Sequence, residues 1–437
     1  MLDEWFPTGR MVCHPDGARR HERDRAGGRR PRFLSTSTLH PLQRIRRPRA
    51  RPVLIAGLVV AAAATVVLAD RVLVSDGTQT ARPELQRILD GLVTGRDRIA
   101  PGVTAYVRGP HGTWTSSSGL ADVHIGEPMR PDGRMRLESV SKTWVATLIL
   151  QLVGEGRVRL DDTVERWLPG LLPYGRRITL RQLLEHTSGM VDTSDIFRDS
   201  SLYLGEVEDP VLRARMVKIS RRVQQDPGYE FSPRLWVEVA AALPLQHRPG
   251  TTYHYSNIGY TVAGLVAERA GGADLATLLR RRIIEPLGLT SVAYDPHSRI
   301  SGRHVRGYRV AADGRLTDAT SWTLGLGPGG GMVSDAADEA RFLTALMRGR
   351  IIARALLTEL TTPSGAYGNY GLGTGINPSG CAGMAYGHNG GGDGFETNVY
   401  VSGDGSRVAV LLLNGRTADG SGDDTAFRAM NRLYCAA

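Results

Sequence analysis

A serine and a lysine stand three positions apart in this chain of 437 residues, at Ser139 and Lys142. Residues three apart on a helix share a face, so the lysine amine can reach the serine hydroxyl. A serine is a weak nucleophile until another group accepts its proton, which a lysine of lowered pKa can do and an arginine cannot. Only Lys142 and Lys218 among the 54 basic residues are lysines. The pair therefore indicates nucleophilic catalysis rather than a chance pattern on a surface helix.

Tyr255 and Asn257 form a second candidate pair. Lys142 is neutral near pH 7 only if its pKa falls by about 3 units. A phenol beside an ammonium loses its proton more easily, so Tyr255 can share the proton. The Asn257 amide donates and accepts hydrogen bonds at once, which suits it to orient Lys142 and a substrate amide. The same spacing at Tyr367 and Asn369, or an ordinary turn, is the alternative.

A third candidate group comprises His388, Asn389 and Gly390. The glycines that follow allow a ligand to approach the backbone of an edge strand closely. The N–H of Gly391 could then pair with that of Ser139 to form an oxyanion hole, two donors that stabilise a developing negative charge. The alternatives are a structural loop histidine and the equivalent spacing at His124.

Several other functions are excluded by composition and motifs. The net charge is +10, but residues 1–51 carry +8 of it, so the remainder offers no basic surface for nucleic acid. The 11 histidines show no metal-ligand spacing, and we expect neither a metal nor a cofactor. The glycine-rich run at 325–330 contains a proline and lacks the acidic residue of a dinucleotide site, so we attribute it to chance.

The N-terminal region predicts export. Residues 1–51 are rich in Arg, Pro, Gly and Ser and are expected to be disordered and cytoplasmic, whereas residues 53–69 are apolar and uncharged. Residues 52–70 are a signal anchor or a cleaved signal peptide, with a buried soluble helix as the alternative. Residues 71–81 form a linker, and 82–437 form an extracytoplasmic domain, anchored or secreted. A DNA-binding arm at 10–51 is the remaining alternative, but the arginines of this segment are explained better by their effect on membrane orientation.

Two of the three cysteines, Cys381 and Cys435, lie beyond the apolar segment, on its oxidising side. A bridge between them would close a loop of 54 residues and stabilise the fold by about 4 kcal/mol on the chain-entropy model. Two free buried thiols are the alternative.

Hydrophobic periodicity predicts the elements that position these residues. Leu85 to Val93 and Val140 to Val153 have helical spacing, while residues 103–107, 397–401 and 408–413 favour strands. Residues 334–360 and the last fourteen residues are again helical. An α/β part is thus expected from about 82–155 and 316–437, with a mainly helical part at about 156–315.

The three groups, in this order, resemble the three motifs of the serine beta-lactamase and penicillin-recognising family, most closely the serine-type D-alanyl-D-alanine carboxypeptidases. Residues 178–189 (ITLRQLLEHTSG), 249–260 (PGTTYHYSNIGY) and 370–373 (YGLG) also look like family segments. The resemblance covers about residues 82–437. It favours Tyr255 over Tyr367 and His388 over His124.

The resemblance implies an α+β fold, in which an antiparallel sheet flanked by helices and an all-helical domain enclose the site. Ser139 would be the acylated nucleophile, and Lys142 with Tyr255 would move its proton. Asn257, Asn389 and Gly390 would bind substrate, and His388 would help to position Tyr255 and the leaving group. Some carboxypeptidases of the family carry a disulfide where Cys381 and Cys435 stand. Two positions differ: Asn389 replaces a common hydroxyl residue, and residues 374–380 lack the arginine of some carboxypeptidases.

We therefore expect a monomeric, exported serine hydrolase that cleaves D-alanyl-D-alanine peptides of peptidoglycan through an acyl-enzyme. A beta-lactamase and an esterase are the enzymatic alternatives, and a non-catalytic penicillin-binding sensor is the alternative from another class. The membrane would be a partner through residues 53–69 if that segment is not cleaved.

Overall fold

The computed structural model describes residues 82–95, 98–192, 204–230, 232–322, 327–366, 368–381 and 383–437, which all belong to one compact unit. The expectations for residues 1–81, including the membrane segment, lie outside these residues. Within the described part of the chain, no helix has the length and apolar character that crossing a bilayer requires.

The main sheet has seven strands in the order β3-β2-β1-β12-β11-β10-β9, with antiparallel neighbours throughout. This confirms the expected antiparallel sheet. The strands of this sheet are β1 Gly102–Gly109, β2 Gly112–Asp122, β3 Glu127–Pro128, β9 Gly375–Ser379, β10 Gly383–Gly392, β11 Phe395–Ser402 and β12 Val408–Leu413.

Two small sheets accompany it, in the orders β4-β8-β5 and β13-β6-β7. Their strands are β4 Met135–Arg136, β5 Ala293–Tyr294, β6 Tyr308–Val310, β7 Leu316–Asp318, β8 Met332–Ser334 and β13 Gly415–Thr417. The short strands β5 and β6 fall inside residues 156–315, so the part expected to be mainly helical also contributes to both small sheets. Strands of two or three residues are too short to show an alternating pattern in the sequence.

The helices surround the main sheet and fill the middle of the chain. They are α1 Pro83–Val93, α2 Ser141–Gly154, α3 Val164–Trp167, α4 Leu180–Leu184, α5 Pro210–Gln225, α6 Arg234–Ala241, α7 Asn257–Gly271, α8 Leu275–Leu279, α9 Glu285–Leu287, α10 Ala336–Met347, α11 Arg354–Thr361 and α12 Asp423–Cys435. A π-helical turn, Arg280–Ile284, joins α8 to α9.

Alternation along β12 divides the apolar core between the two faces of the sheet. Val408, Val410 and Leu412 belong to one cluster, which includes Trp144 of α2 and Phe342 of α10. The intervening Ala409, Leu411 and Leu413 belong to a second cluster with residues of α1 and α12. Successive side chains of a strand point to opposite faces. Burial on both faces therefore holds the sheet between helices, and α2 is fixed beneath it.

Cys381 and Cys435 form a disulfide with a Cα–Cα distance of 5.5 Å. Of the two alternatives for this pair, the structure has the bridge. Cys381 lies in the turn between β9 and β10, and Cys435 is the last residue of α12. The bridge therefore links the hairpin that carries the third candidate group to the C-terminal helix.

Candidate active site

Ser139 lies in a short 3₁₀ turn, Glu138–Val140, directly before α2, and Lys142 lies in the first turn of that helix. Lys142 Nζ is 3.0 Å from Ser139 Oγ, which confirms the contact expected from their spacing. Ser139 is partly exposed, whereas the Lys142 side chain is fully buried. The hydroxyl is therefore accessible, and the amine behind it is shielded from water.

Two oxygen atoms fix the orientation of the Lys142 amine. Nζ is 2.8 Å from Asn257 Oδ1 and 2.9 Å from the carbonyl oxygen of Gly329. Both atoms are acceptors, so they hold two N–H bonds of the amine. In the neutral amine the remaining position is a lone pair, and it points at Ser139.

Burial lowers the pKa of Lys142 from 10.5 to about 7, although the Asp192 and Glu138 carboxylates oppose the shift. Desolvation disfavours the charged form of a buried amine. About half of the molecules thus hold a neutral amine at pH 7. Lys142 can therefore accept the proton of Ser139.

Tyr255 completes the contacts of the nucleophile, because its hydroxyl donates to Ser139 Oγ at 2.8 Å. Lys142 Nζ also lies 4.8 Å from the centroid of the Tyr255 ring. Burial raises the pKa of Tyr255 far above its ordinary value, and it outweighs the hydrogen bond to Ser139. Burial thus favours the neutral phenol as a donor to Ser139 and the buried amine as the base, and the sharing of a proton between Tyr255 and Lys142 stays a prediction.

Asn257 is the first residue of α7, which the Ser256 side chain caps by accepting from Gly259 N at 3.2 Å. The Asn257 side-chain nitrogen donates to Asp192 Oδ2 at 3.0 Å, and its backbone N–H reaches the same oxygen at 3.2 Å. Asp192 thereby turns Asn257 Oδ1 toward Lys142. No sequence motif pointed to Asp192.

The third candidate group lies on β10, at the point where this strand passes close to the backbone of Ser139. A Cβ at Gly390 would lie 3.0 Å from Ser139 N and would overlap the Leu137 carbonyl oxygen. Only a residue without a side chain permits this approach. Gly391 follows on the strand with Arg416 against its other side, since a Cβ there would lie 2.8 Å from Arg416 Cζ. The oxyanion hole of Ser139 and Gly391 N–H groups stays a prediction.

His388 bonds to Tyr370 rather than to Tyr255. Its Nε2 is 3.0 Å from Tyr370 Oη, whereas its ring centroid is 6.3 Å from that of Tyr255. Burial, with a smaller effect from Lys142, lowers the pKa of His388 to about 3. His388 is thus neutral at pH 7. Its hydrogen-bonded path toward Tyr255 runs through Tyr370 and His186, and the expected role of His388 in positioning Tyr255 and the leaving group stays a prediction.

The backbone before the nucleophile is strained, because Glu138 has φ +49°. Its carboxylate is buried beside Gly392 and accepts from Arg136 Nε at 3.0 Å. Arg136 also donates to the carbonyl oxygen of Asp393 at 2.7 Å. This buried pair ties the turn that presents Ser139 to the end of β10, and nothing in the sequence indicated it.

The structure separates the site from the competing patterns. His124 is an exposed side chain 4.0 Å from Asp318, and it makes none of the contacts described for Ser139. Tyr367 lies outside the described residues. Within the glycine-rich run at 325–330, the carbonyl oxygen of Gly329 accepts from Lys142, although this contact requires no particular residue type. Asn389, a member of the third candidate group, is exposed on β10 and lies opposite Asn398 of β11.

Comparisons with known proteins agree with this geometry. Penicillin-binding protein 4* of Bacillus subtilis is 25% identical over 373 residues, which are 81% of this chain and 76% of the relative. Esterase EstB of Burkholderia gladioli is 33% identical over 206 residues, 46% of this chain and 48% of the esterase. The chain spans about half the length of several curated relatives that it matches.

Among solved structures, a D-stereospecific amidohydrolase from Streptomyces sp. is similar, with a TM-score of 0.67 and 29% identity. The likeness covers 82% of this chain and all of that protein. The Beta-lactamase family model matches residues 85–432. The resemblance noted in the sequence is thereby confirmed: the chain belongs to the beta-lactamase family of serine hydrolases.

Proposed function

We propose that this protein is an exported hydrolase that cleaves D-alanyl-D-alanine peptides through an acyl-enzyme on Ser139. One observation carries the acyl-transfer chemistry: Ser139 Oγ lies 3.0 Å from Lys142 Nζ and 2.8 Å from Tyr255 Oη. A nucleophile with an oriented base and a neighbouring proton donor is the arrangement that covalent catalysis requires.

In the proposed mechanism, Ser139 Oγ attacks the substrate carbonyl carbon while its proton passes to Lys142 Nζ. The Ser139 and Gly391 N–H groups stabilise the oxyanion. Collapse of the intermediate breaks the bond to the leaving group. The leaving group receives a proton from Lys142 directly or from Tyr255. In the second case Lys142 gives its own proton to the Tyr255 phenolate. A water molecule then attacks the ester carbonyl and gives a proton to Lys142 Nζ. Collapse of this second intermediate breaks the ester bond to Ser139 Oγ, and Lys142 returns the proton to that oxygen.

The similar proteins support a D-configured acyl group. The Streptomyces neighbour is called a D-stereospecific amidohydrolase, and the Bacillus relative is a penicillin-binding protein. Asn257 and the backbone of β10 at residues 388–392, beyond its pairing with β9, are polar groups that can hold the amide bonds of such a peptide. The carboxypeptidase assignment adds that the leaving group is a D-alanine with a free carboxylate.

A second candidate is an amidase or esterase with a neutral leaving group, and the pairing of Arg416 favours it. Arg416 lies against Gly391, but it donates to Asp423 at 2.7 and 3.2 Å. Residues 374–380 contain no basic residue. A carboxylate bound here would have to compete with Asp423 for that guanidinium, whereas a neutral amide or ester would not.

The test compares three substrates with one acyl group: a D-alanyl-D-alanine peptide, its C-terminal amide and the corresponding ester. Fluorescent penicillin and intact mass measure acylation in parallel. We expect an adduct on Ser139 and its loss in Ser139→Ala. Preference for the free acid supports the carboxypeptidase, preference for the amide or ester supports the second candidate, and rapid lactam turnover identifies a beta-lactamase. A penicillin adduct without any turnover supports the sensor.

Lysine variants provide the matched control. Lys142→Arg should abolish acylation, whereas Lys218→Arg, an exposed change on α5, should leave it intact. Absence of both an adduct and turnover in the parent protein would overturn the proposal.

Export is part of this proposal, supported by the apolar segment 53–69 and by the Cys381–Cys435 bridge, since disulfides persist mainly in oxidising compartments. Cell fractionation and N-terminal sequencing of the full chain from its source cells test it. An N-terminus after residue 69 identifies a cleaved signal, and an intact chain in the membrane identifies an anchor. An intact chain in the cytoplasm contradicts export.

A further inference from the structure

Two buried histidines and a tyrosine form a hydrogen-bonded chain behind the proposed active site. His186 Nε2 is 3.2 Å from Tyr370 Oη, and Tyr370 Oη is 3.0 Å from His388 Nε2. All three side chains are buried, with exposed fractions of 0%, 6% and 7%. They come from the turn after α4, the segment before β9 and β10 itself.

The hydrogen bonds at the two ends of this His186–Tyr370–His388 chain determine which atom donates in each of its hydrogen bonds. The backbone N–H of Ser256 donates to His186 Nδ1 at 3.1 Å, so the proton of a neutral His186 is on Nε2 and is donated to Tyr370. Tyr370 then donates to His388 Nε2. The proton of a neutral His388 is left on Nδ1, which lies 2.5 Å from the carbonyl oxygen of Asn389.

The surrounding groups keep both histidines neutral. Burial lowers the pKa of each, and the nearby Lys142 acts in the same direction on both. His388 and His254 also oppose a positive charge on His186. The rings of Tyr255 and Tyr260 pack against His186 with centroid distances of 4.2 and 5.3 Å, and burial raises the pKa of both phenols.

The His186–Tyr370–His388 chain connects two parts of the proposed machinery. Its His186 end lies under the Tyr255 ring and beside the residue that caps α7. Its His388 end holds the peptide between Asn389 and Gly390, directly before Gly391. A shift of Tyr370 would therefore alter both the proton donor and the glycine strand that faces Ser139.

We propose that Tyr370 is a positioning residue, which fixes the tautomer of His388 and the placement of the Asn389 carbonyl and, through His186, supports the Tyr255 ring. This inference rests on the proposed acyl transfer by Ser139. The lone pair of His388 Nε2 is occupied by the Tyr370 hydroxyl, so His388 does not compete with Lys142 as a base.

The first test needs no substitution in the protein that is measured. Nitrogen-15 NMR of the histidines in the full chain at pH 7, assigned with His186→Gln and His388→Gln, reports each tautomer. We expect a neutral Nε2–H form for His186 and a neutral Nδ1–H form for His388. A protonated His388, or its Nε2–H form, would overturn the inference whether or not the protein is active.

The second test removes the hydroxyl alone. Tyr370→Phe should lower kcat for ester hydrolysis by about 10- to 100-fold, since small misplacements of reacting groups carry costs of this size, with KM changed less than threefold. The His388 tautomer signal should change with it. Tyr400→Phe is the matched control: Tyr400 is also 6% exposed but packs in the other core cluster, and this variant should change neither value.

An unchanged kcat in folded Tyr370→Phe would contradict the positioning role. If Tyr370→Phe does not fold, the tautomers of the parent protein decide the question. Failure of the proposed function itself is distinct, because then the parent protein would neither bind penicillin covalently nor hydrolyse the ester.

Discussion

The rate of acylation should rise with pH through a midpoint near 7, because the proposed base is the neutral form of Lys142. Burial lowers the pKa of this amine from 10.5 to about 7, and a difference of this size corresponds to about 5 kcal/mol. An unperturbed amine would be neutral in fewer than about one molecule in 1,000 at pH 7. The buried amine is neutral in about half of them.

The assay is the single-turnover acylation of Ser139 by fluorescent penicillin between pH 5 and 9. We expect a tenfold rise per pH unit at low pH and a plateau above pH 8. Lys142→Arg should lose about 100- to 10,000-fold of the rate, the range of general base catalysis. Asp192→Asn should move the midpoint downward, because the Asp192 carboxylate raises the pKa of Lys142. A midpoint near 10, or full activity in Lys142→Arg, would refute the reasoning.

Three further changes test the surrounding structure. Gly390→Ala should reduce acylation at least about 100-fold, because its Cβ would overlap the Leu137 carbonyl; a normal rate would show that β10 can move aside. Burial raises the pKa of Glu339 to about 8, so the unfolded chain, but not the folded protein, releases this proton between pH 4.5 and 8. As the pH rises from 4.5 to 8, the free energy of unfolding of the parent protein should therefore fall by up to about 5 kcal/mol relative to that of Glu339→Gln. Urea unfolding measures this difference, and an equal pH dependence in both proteins would contradict the buried acid. Cys435→Ser should lower the free energy of unfolding by about 4 kcal/mol, an effect that reduction of the parent protein should reproduce.

Local spacing was enough to predict the Ser139–Lys142 contact and the principal helices and strands. The choice of Tyr255 over Tyr367 needed the family resemblance, because the two patterns are locally alike. The same holds for His388 over His124. For the two histidines, the structure separates the alternatives by burial and distance, which a short motif does not contain.

The groups that tune the site could not be predicted in this way. The Gly329 carbonyl reaches Lys142 from 187 positions away, and any residue type offers a carbonyl. Asp192 and Tyr370 each act through two hydrogen bonds to residues that local spacing does not indicate. The pKa order of Lys142 and Tyr255 also depends on burial, which a motif does not contain.

The pairing of β1 with β12 has a consequence for biosynthesis. Val103 lies opposite Leu413, and α1 packs in the same core cluster as α12, so the centre of the sheet joins the two ends of the described chain. Because β12 separates β1 from β11 and β10, a nascent chain that stops before β12 lacks the strand that joins β1 to the strand facing Ser139. Catalytic competence should therefore arise only once β12 has been synthesised, and slowly, since such distant strands must find each other by diffusion.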